Sequence, residues 1–283
     1  MRKIICAVIL VSIALTLAGC GRVMRIVRMP HIKMPEGRPR QPLLEDIDIS
    51  KPVKEFRVGE RLTYGVRWMG VYVGQATLSV KEITELNGAQ VYHIVSAARS
   101  NAFLDKIYKV RDEIHSYVDT KDLFSRKFEK HQREGKYKAD EEIVYDYVAK
   151  KGYYKSFTTK DPNIGTKEIA LSGYIQDALS CLYYFRLQEI EVGKSVFIKV
   201  NADEKDWDLE VKVLDKAHIE MRNMGVYEAV LAEPRAQFKG IFVRKGKMEI
   251  WFSADEKRIP LLLNVHIPIP LVGLVSVALE KVE

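Results

Sequence analysis

Apolar and polar residues alternate along most of the chain beyond residue 55, with the two-residue period of half-buried β-strands. In residues 108–118 one face carries Tyr108, Val110, Ile114 and Val118, and the other carries Lys109, Arg111, Glu113 and His115. Residues 207–213 repeat the pattern. A sheet with one apolar face must bury that face, either by curling on itself or by packing against another element.

Turn signals such as Met69-Gly70, Asn87-Gly88 and Lys151-Gly152 separate these alternating segments at short intervals. The sequence predicts strands over residues 56–68, 71–83, 91–100, 107–118, 124–133, 141–149, 195–201, 207–214, 226–232, 241–243, 248–253, 259–265 and 272–280. Strands in such a series predict a mainly β fold, a large curved antiparallel meander sheet that is either half-open or closed like a barrel.

One segment has the helical period instead. Ile175, Leu179, Leu182 and Arg186 follow one another at intervals of three to four residues, and the first three form an apolar stripe. With Ser172 as N-cap, we predict a single α-helix over residues 173–189, packed on the sheet. Cys181 lies within it, and the favoured interpretation is a small buried side chain, because no base or electropositive neighbourhood for a catalytic thiol is evident.

The N-terminus begins with the basic pair Arg2-Lys3, followed by fourteen uncharged residues from Ile4 to Leu17. This order is typical of a secretory signal. The run is shorter than the roughly 20 residues that cross a hydrocarbon core, so a permanent membrane-spanning helix is the weaker alternative.

Leu17-Ala18-Gly19-Cys20 resembles the bacterial lipobox. The resemblance implies that the signal peptide, residues 1–19, is removed and that Cys20 becomes the lipid attachment site, with palmitate-like acyl chains. Two or more chains anchor a protein stably in a membrane, whereas one chain does not. Gly21 follows Cys20 where inner-membrane retention would require Asp, so we expect a lipoprotein on the periplasmic side, in the outer membrane in preference to the inner membrane.

Residues 20–52 differ in composition from the remainder. They contain Pro30, Pro35, Pro39 and Pro42 and lack a sustained period, which predicts a lipidated basic tether. Arginines alternate with apolar residues in its first part, residues 21–29, which could contact anionic lipid or serve as a solvated spacer. Residues 53–283 are predicted to form a single β-rich domain.

Composition and charge exclude several classes of protein. The 283 residues are 47% hydrophobic and 29% charged, which is ordinary for a globular protein. Without Arg2 and Lys3, 43 basic residues face 38 acidic ones, a net +5 that is too dilute to indicate a nucleic-acid partner. Cys6 leaves with the signal and Cys20 is acylated, so Cys181 has no partner for an intramolecular disulfide.

Four segments resemble the bacterial domain of unknown function family 3108. They are Gly59-Glu60-Arg61-Leu62-Thr63-Tyr64, residues 68–76, residues 177–186 and residues 248–260, the last reading MEIWFSADEKRIP. The resemblance implies an exported, largely β protein and supplies no catalytic residue. In the last segment, Asp255 and Arg258 are interpreted as turn and rim residues.

The sequence contains no motif that predicts catalysis, a cofactor or a metal. Histidines 31, 93, 115, 131, 218 and 266 are scattered singly, without a His-x-x-x-His pair, and no Gly-x-Ser-x-Gly elbow occurs. We therefore predict no catalytic, cofactor-binding or metal-binding residues and favour a protein that is not an enzyme.

Aromatic residues are the one candidate for a binding site, since the chain has 14 Tyr, 10 Phe and 3 Trp. On a curved sheet they could line a groove for an apolar ligand, and the candidate residues are Tyr64, Trp68, Tyr72, Tyr145 and Tyr147. Ordinary core packing and cross-strand pairing is the alternative explanation.

Three functions remain open. The leading hypothesis is a lipid-anchored periplasmic lipoprotein that acts as a non-catalytic binding or adaptor module, for an apolar ligand or a protein partner of the envelope. The first alternative is an envelope glycan or lipid hydrolase, which needs two carboxyl groups roughly 5 to 10 Å apart, one with a raised pKa. The second alternative is a structural subunit of an outer-membrane assembly.

Overall fold

A computed structural model describes residues 55–159, 165–202, 204–222, 224–236, 247–267 and 273–283. The predicted signal peptide, the lipid attachment site at Cys20 and the tether lie outside the described residues, as does the strand predicted over residues 241–243. Among the described residues, no helix has the length and apolar character needed to cross a bilayer.

Within the described residues, fourteen strands and two short helices follow one another. They are β1 (Arg61–Trp68), β2 (Val71–Leu86), β3 (Ala89–Ser100), α1 (Ala102–Asp105), β4 (Arg111–Asp119), β5 (Ser125–Glu134), β6 (Tyr137–Asp146), β7 (Lys151–Thr158), β8 (Gly165–Ala170), α2 (Ser180–Arg186), β9 (Ser195–Ala202), β10 (Lys205–Met221), β11 (Gly225–Ala236), β12 (Lys247–Ser253), β13 (Pro260–Ile267) and β14 (Gly273–Val282).

All fourteen strands form one antiparallel sheet in the order β8-β7-β6-β5-β4-β3-β2-β1-β14-β13-β12-β11-β10-β9. The sheet therefore consists of two meanders, β1–β8 and β9–β14, joined where β1 pairs with β14. It does not close, since β8 and β9 remain its two edges. This confirms the predicted mainly β meander and selects the open form.

Tight turns set the register of the hairpins. Met69-Gly70 and Asn87-Gly88 join β1 to β2 and β2 to β3, and all four residues have positive φ. Two-residue turns with this backbone match the twist of the flanking strands, and glycine adopts positive φ without steric cost. These turn signals therefore predicted the hairpins at the correct positions.

Alternation also predicted the buried face. Val110, Ile114 and Val118 are buried in the hydrophobic core, whereas Arg111, Glu113 and His115 point to the other side. The core continues through both meanders, as an apolar stripe of two-residue period requires.

The helix prediction was too long. Only Ser180–Arg186 is helical, and residues 173–179 are irregular. The reason is Asp177, whose Oδ1 accepts hydrogen bonds from the backbone N–H groups of Leu179 and Ser180, so the helix begins there and not at Ser172. Ile175 and Leu179 are nevertheless fully buried, as the stripe predicted.

Two strands and one helix were not predicted. Strands β7 and β8 extend the first meander, and residues 107–110, predicted as the start of a strand, follow the short helix α1 instead. Strand β8, Gly165–Ala170, is largely exposed and has little apolar alternation, so the periodicity gave no signal for it.

The segment between β8 and α2 crosses from one half of the sheet to the other. Ile175 accepts a backbone hydrogen bond from Ser125 at the start of β5 (2.9 Å), and Gln176 pairs with edge strand β9 through Lys199 and Asn201 (2.8 Å each). These hydrogen bonds cover part of edge strand β9. They also hold residues 171–179 beside β5 and β6.

Candidate functional site

An open recess lies between the β6–β7 hairpin, the start of β5 and the segment that follows β8. Its volume is about 410 Å³. Five aromatic side chains from these three parts of the chain line it, namely Phe124, Tyr145, Tyr147, Tyr153 and Tyr174. Asn87, Arg126 and Asp146 contribute polar groups and Val144 and Val148 complete the lining. We call this site the aromatic recess.

The rings of the aromatic recess pack on one another. Phe124 stacks on Tyr174 with the ring centroids 4.4 Å apart, and Tyr147 meets the edge of Phe124 at 4.6 Å. Tyr147 also lies 5.0 Å from Tyr174. Phe124 is buried, whereas Tyr174 and Tyr153 are exposed. The recess therefore has a buried aromatic floor and exposed aromatic walls.

Two tyrosine hydroxyls of the recess are held by structural hydrogen bonds. Tyr147 donates to the carbonyl oxygen of Ser125 (2.5 Å) and Tyr145 donates to Oδ1 of Asn201 (3.4 Å). Burial raises the pKa of both phenols well above the ordinary tyrosine value. They stay protonated at neutral pH, so these residues offer ring surface and not acid–base chemistry.

Among the described residues that line the recess, the one cation, Arg126, is paired with a carboxylate. The Arg126 guanidinium lies 4.9 Å from the centroid of the Phe124 ring, and its Nε donates to Oδ2 of Asp119 at 2.7 Å. Burial opposes the ionisation of Asp119, but the N–H groups of Asp122 and Lys121 together with Arg126 hold its pKa below the usual value. Asp119 is therefore ionised and compensates the charge of Arg126.

A buried carboxylate fixes the wall that carries Tyr174. Oδ2 of Asp177 accepts hydrogen bonds from the hydroxyls of Ser116 and Ser125, both at 2.5 Å. Burial raises the pKa of Asp177, while these hydroxyls and the helix N–H groups favour its ionised form. This network ties residues 173–179 to β4 and β5, so Tyr174 is presented by a rigid support.

The predicted groove residues divide between separate places. Tyr145 and Tyr147 line the aromatic recess, and Tyr64, Trp68 and Tyr72 do not. Tyr64 is buried and donates a hydrogen bond to the carbonyl oxygen of Pro260 (3.0 Å). Trp68 packs against the core, and Tyr72 lies 5.6 Å from the guanidinium of Arg67. Whether Tyr145 and Tyr147 contact a ligand remains a prediction.

Sequence reasoning missed Phe124, Arg126, Tyr153 and Tyr174 as members of the recess. Phe124 and Tyr174 are fifty residues apart and meet only because residues 171–179 cross to β5. The single local signal is that Tyr174 precedes the buried Ile175, which marks it as the outward neighbour of a core residue.

The segments that carry the family resemblance meet around a buried ion pair. Arg186 donates from both Nη atoms to the Glu60 carboxylate, at 2.7 Å each, and from Nε to the carbonyl oxygen of Lys257 (3.2 Å). Arg258 donates in turn to the carbonyl oxygen of Arg186 (3.0 Å). The pair is almost inaccessible to solvent, so it joins β1, α2 and the β12–β13 turn and does not face a ligand.

A polar patch occupies the inner face of β4, β5 and β6. Asp112, Lys130, Gln132 and Glu134 are all buried, and Lys130 forms a 2.8 Å ion pair with Glu141. Asp112 accepts a hydrogen bond from the Arg133 N–H at Oδ1 (2.7 Å), and its Oδ2 has no partner among the described residues. Burial raises the pKa of Asp112 to about 7, with nearby Glu134 acting in the same direction.

Three histidines that are scattered in the sequence are neighbours on the outer face. His93 of β3 and His115 of β4 share a 2.9 Å hydrogen bond between Nε2 and Nδ1, and His131 of β5 meets His115 at a centroid distance of 5.8 Å. Antiparallel pairing of non-adjacent segments brings them together. Among the described residues, no three His, Cys, Asp or Glu side chains surround a point that could hold a metal ion.

Cys181 is half-buried at the residue level, and its thiol is a poor nucleophile. Burial raises its pKa to about 12, with Asp177 adding to the shift. At neutral pH it is a thiol and not a thiolate.

Comparison with known sequences finds a family. The family model described as "Protein of unknown function (DUF3108)" matches residues 63–274. A search of the curated proteins finds no match.

Comparison with solved structures finds similar folds. A β-barrel-like protein of domain of unknown function DUF1849 from Brucella abortus has a TM-score of 0.52 and 10% identity, over 81% of this chain and 98% of that chain. A Bacteroides fragilis protein described as exported, with a YmcC-like fold, has a TM-score of 0.34 and 7% identity, over 80% of this chain and 96% of that chain. A Parabacteroides distasonis protein described as a lipoprotein has a TM-score of 0.34 and 9% identity, over 80% and 96%. Only the first similarity is close enough to indicate a shared fold.

Proposed function

The chain belongs to the DUF3108 family of proteins of unknown function, and from that premise we propose that it is a lipid-anchored lipoprotein of the bacterial envelope whose β-sheet domain binds an apolar ligand without catalysing a reaction. The lipobox at Cys20 supports the anchor, and the aromatic recess supports the binding. The recess is the single observation on which the binding function rests.

The recess has the properties of a small-molecule site. A volume of about 410 Å³ falls within the roughly 300 to 1,000 Å³ that is usual for such sites. Its walls present ring faces because the hydroxyls of Tyr145 and Tyr147 are already used inside the protein. Arg126 is paired with Asp119, and the five aromatic rings provide most of the lining beside the carboxylate of Asp146, which favours a ligand with an apolar ring or chain.

Binding can be tested with a neutral fluorescent probe, N-phenyl-1-naphthylamine. We expect its fluorescence to rise with the protein, and Tyr174→Ala or Tyr153→Ala to weaken binding about tenfold, because each loses one exposed ring face. Tyr72→Ala is the matched control, since Tyr72 is 40% exposed, Tyr153 is 39% exposed and only Tyr153 lines the recess. Equal effects of Tyr153→Ala and Tyr72→Ala on probe binding, or absence of probe binding by the wild type, would contradict the proposal.

The anchor and the location are tested separately. We expect intact-mass measurement to show a chain that begins at Cys20 with added acyl chains, and the Cys20→Ser variant to lack the acyl chains and to retain residues 1–19. Gly21 after the lipidated cysteine predicts that membrane fractionation finds the protein in the outer membrane, on its periplasmic side. An unmodified N-terminus on soluble material would remove the anchor from the proposal.

A second candidate function, an envelope glycan or lipid hydrolase, has one observation in its favour. Asp112 and Glu134 both lie on the inner face of the sheet, and burial together with Glu134 raises the pKa of Asp112 to about 7, a value suited to general acid–base catalysis. The aromatic recess does not include either residue. The test is to incubate the protein with peptidoglycan or phospholipid and to measure hydrolysis products. Products that form with the wild type and not with Asp112→Asn would favour hydrolysis over binding.

A further inference from the structure

One end of the sheet carries exposed apolar side chains. The β1–β2 turn presents Met69 (63% exposed) and Val71 (60%), and the segment after β3 presents Phe103 (67%) and Ile107 (67%). Large apolar side chains at such exposure, grouped on one surface, mark interaction sites more often than scattered ones do. We call these four residues the apolar end.

Hydrogen bonds hold the two parts of the apolar end side by side. Asn101 donates from Nδ2 to the carbonyl oxygen of Tyr72 (2.8 Å) and from its backbone N–H to that of Val73 (2.9 Å). Its Oδ1 accepts from the N–H of Leu104 (2.8 Å), which caps α1. Leu104 points into the core, so the same short segment must project Phe103 and Ile107 into solvent.

Basic side chains surround the apolar end. Lys106 and Lys109 are exposed on the same segment, and the N–H of Gly135 donates to the carbonyl oxygen of Lys109 (2.7 Å), which brings Lys136 alongside. None of these three lysines forms an ion pair with another described residue. The neighbouring Asp105 is neutralised by Arg111, whose Nη1 and Nη2 lie 3.0 and 2.5 Å from its carboxylate oxygens.

We propose that the apolar end docks the folded domain onto an anionic lipid bilayer, with Phe103 and Ile107 entering the headgroup layer and Lys106, Lys109 and Lys136 contacting lipid phosphates. Apolar side chains that project from turns and are flanked by unpaired cations match the chemistry of that interface. The complementary charge favours an anionic surface over a neutral protein groove. The contact is a property of the domain itself and does not depend on the acyl chains at Cys20.

The test uses the mature chain, residues 20–283, with Cys20→Ser, so that neither acylation nor the apolar run of residues 4–17 contributes, and measures sedimentation with vesicles of phosphatidylcholine, alone or mixed equally with phosphatidylglycerol. We expect Phe103→Ser with Ile107→Ser to lower the partition coefficient on mixed vesicles about tenfold, because two apolar side chains are lost from the interface. Phe197→Ser is the matched control, since Phe197 is 64% exposed but lies on β9, and we expect no change.

The cations are tested in the same assay. We expect Lys106→Gln with Lys109→Gln to lower partitioning on mixed vesicles at least tenfold, because each basic residue near an anionic surface contributes about 1 kcal/mol. Binding to pure phosphatidylcholine should be weak and unaffected. Lys121→Gln with Lys205→Gln removes the same charge from other exposed positions and should have a smaller effect.

Two results would overturn the proposal. The first is equal partitioning of the Phe103/Ile107 variant and the Phe197 variant. Residues 21–29 are present in both variants, so any difference between the two must come from the apolar end. The second is a loss of self-association in the Phe103/Ile107 variant with unchanged vesicle binding, which would assign this surface to a second copy of the chain.

Discussion

Asp112 shows how a single buried carboxyl can make stability depend on pH. It is 4% exposed, and burial raises its pKa to about 7. Because the unfolded chain releases this proton near pH 4, the folded state binds it more tightly, and the contribution to stability is present at low pH and lost as pH rises towards 7. A shift of about three units corresponds to an upper limit on the order of 4 kcal/mol.

Asp112→Asn should therefore stabilise the protein at pH 8 by about 1 to 4 kcal/mol and change it little at pH 4, because the amide stays neutral throughout. Urea unfolding at the two pH values measures this difference. Asp208→Asn, at an exposed position, is the control. An equal effect of Asp112→Asn at both pH values would show that its ionisation does not matter.

The His93–His115 pair gives the opposite pH dependence. Burial is the largest cause that lowers the pKa of both, with Lys81 acting on His93 and His131 on His115, and the nearby carboxylates of Glu82, Glu113 and Glu129 oppose the shift. The unfolded chain then binds protons more readily than the folded one. Stability is therefore full above about pH 6.5 and is lost as pH falls through the lowered folded values.

We expect His115→Gln to flatten the loss of stability between about pH 6.5 and pH 5, while leaving stability at pH 8 within about 1 kcal/mol. Thermal unfolding across this range provides the measurement. His218→Gln, at an exposed position on β10, should retain the wild-type profile. The interpretation fails if both variants follow the same curve.

The Glu60–Arg186 pair should be sensitive to the loss of one partner. Arg186→Met leaves the buried Glu60 carboxylate without its hydrogen-bonded cation, which we expect to cost about 3 to 5 kcal/mol. Glu60→Gln combined with Arg186→Met removes both charges and should be less destabilising than Arg186→Met alone. Urea unfolding of the single and double variants tests this, and additive losses would mean that the two side chains are not coupled.

At the scale of elements, the sequence predicted burial better than it predicted secondary structure. Ile175 and Leu179 form part of a helical stripe and are fully buried, yet the helix begins only at Ser180. The spacing of apolar residues indicates which side chains are buried. The start of the helix depends instead on the hydrogen bonds that the Asp177 carboxylate accepts from the N–H groups of Leu179 and Ser180. The spacing of apolar residues alone could not distinguish a buried helix from a buried irregular segment.

The unpredicted strands have the same kind of explanation. Strand β7 begins with Lys151-Gly152, which reads as a turn, and β8 is largely exposed, so both are strands through pairing with β6 and with each other. Pairing is a property of the assembled sheet and not of the local sequence. The His93, His115 and His131 neighbours were missed for that reason too.

A side chain at Gly74 would collide with the backbone of the neighbouring strand. A Cβ there would lie 2.3 Å from the carbonyl oxygen of Arg99 on the paired strand β3. Gly74→Ala should therefore destabilise the protein by about 1 to 3 kcal/mol, because β2 and β3 must separate. Gly165→Ala, where the nearest atom is 3.6 Å away, should have little effect in the same urea experiment. Similar midpoints for the two variants would mean that the strands move apart freely.

At the scale of the whole molecule, the sequence predicted the class of fold and the series of strands but left an open and a closed sheet as equal alternatives. The structure has an open sheet, and an ion pair between Lys167 of edge strand β8 and Glu204 of the β9–β10 turn links its two edges. Such contacts join residues far apart in sequence. The aromatic recess depends on the same crossing, because Tyr174 reaches Phe124 only through it.

Strand β14 pairs with β1 in the middle of the sheet, and the backbones of Arg61 and Glu283 exchange hydrogen bonds at 3.0 and 2.9 Å. Because the chain is synthesised from its N-terminus, β1 must remain unpaired on one side until β14 has also been made. The two meanders can form early, but their junction cannot. Pairing of β1 with β14 is therefore expected to be a late step of folding, after each meander has formed.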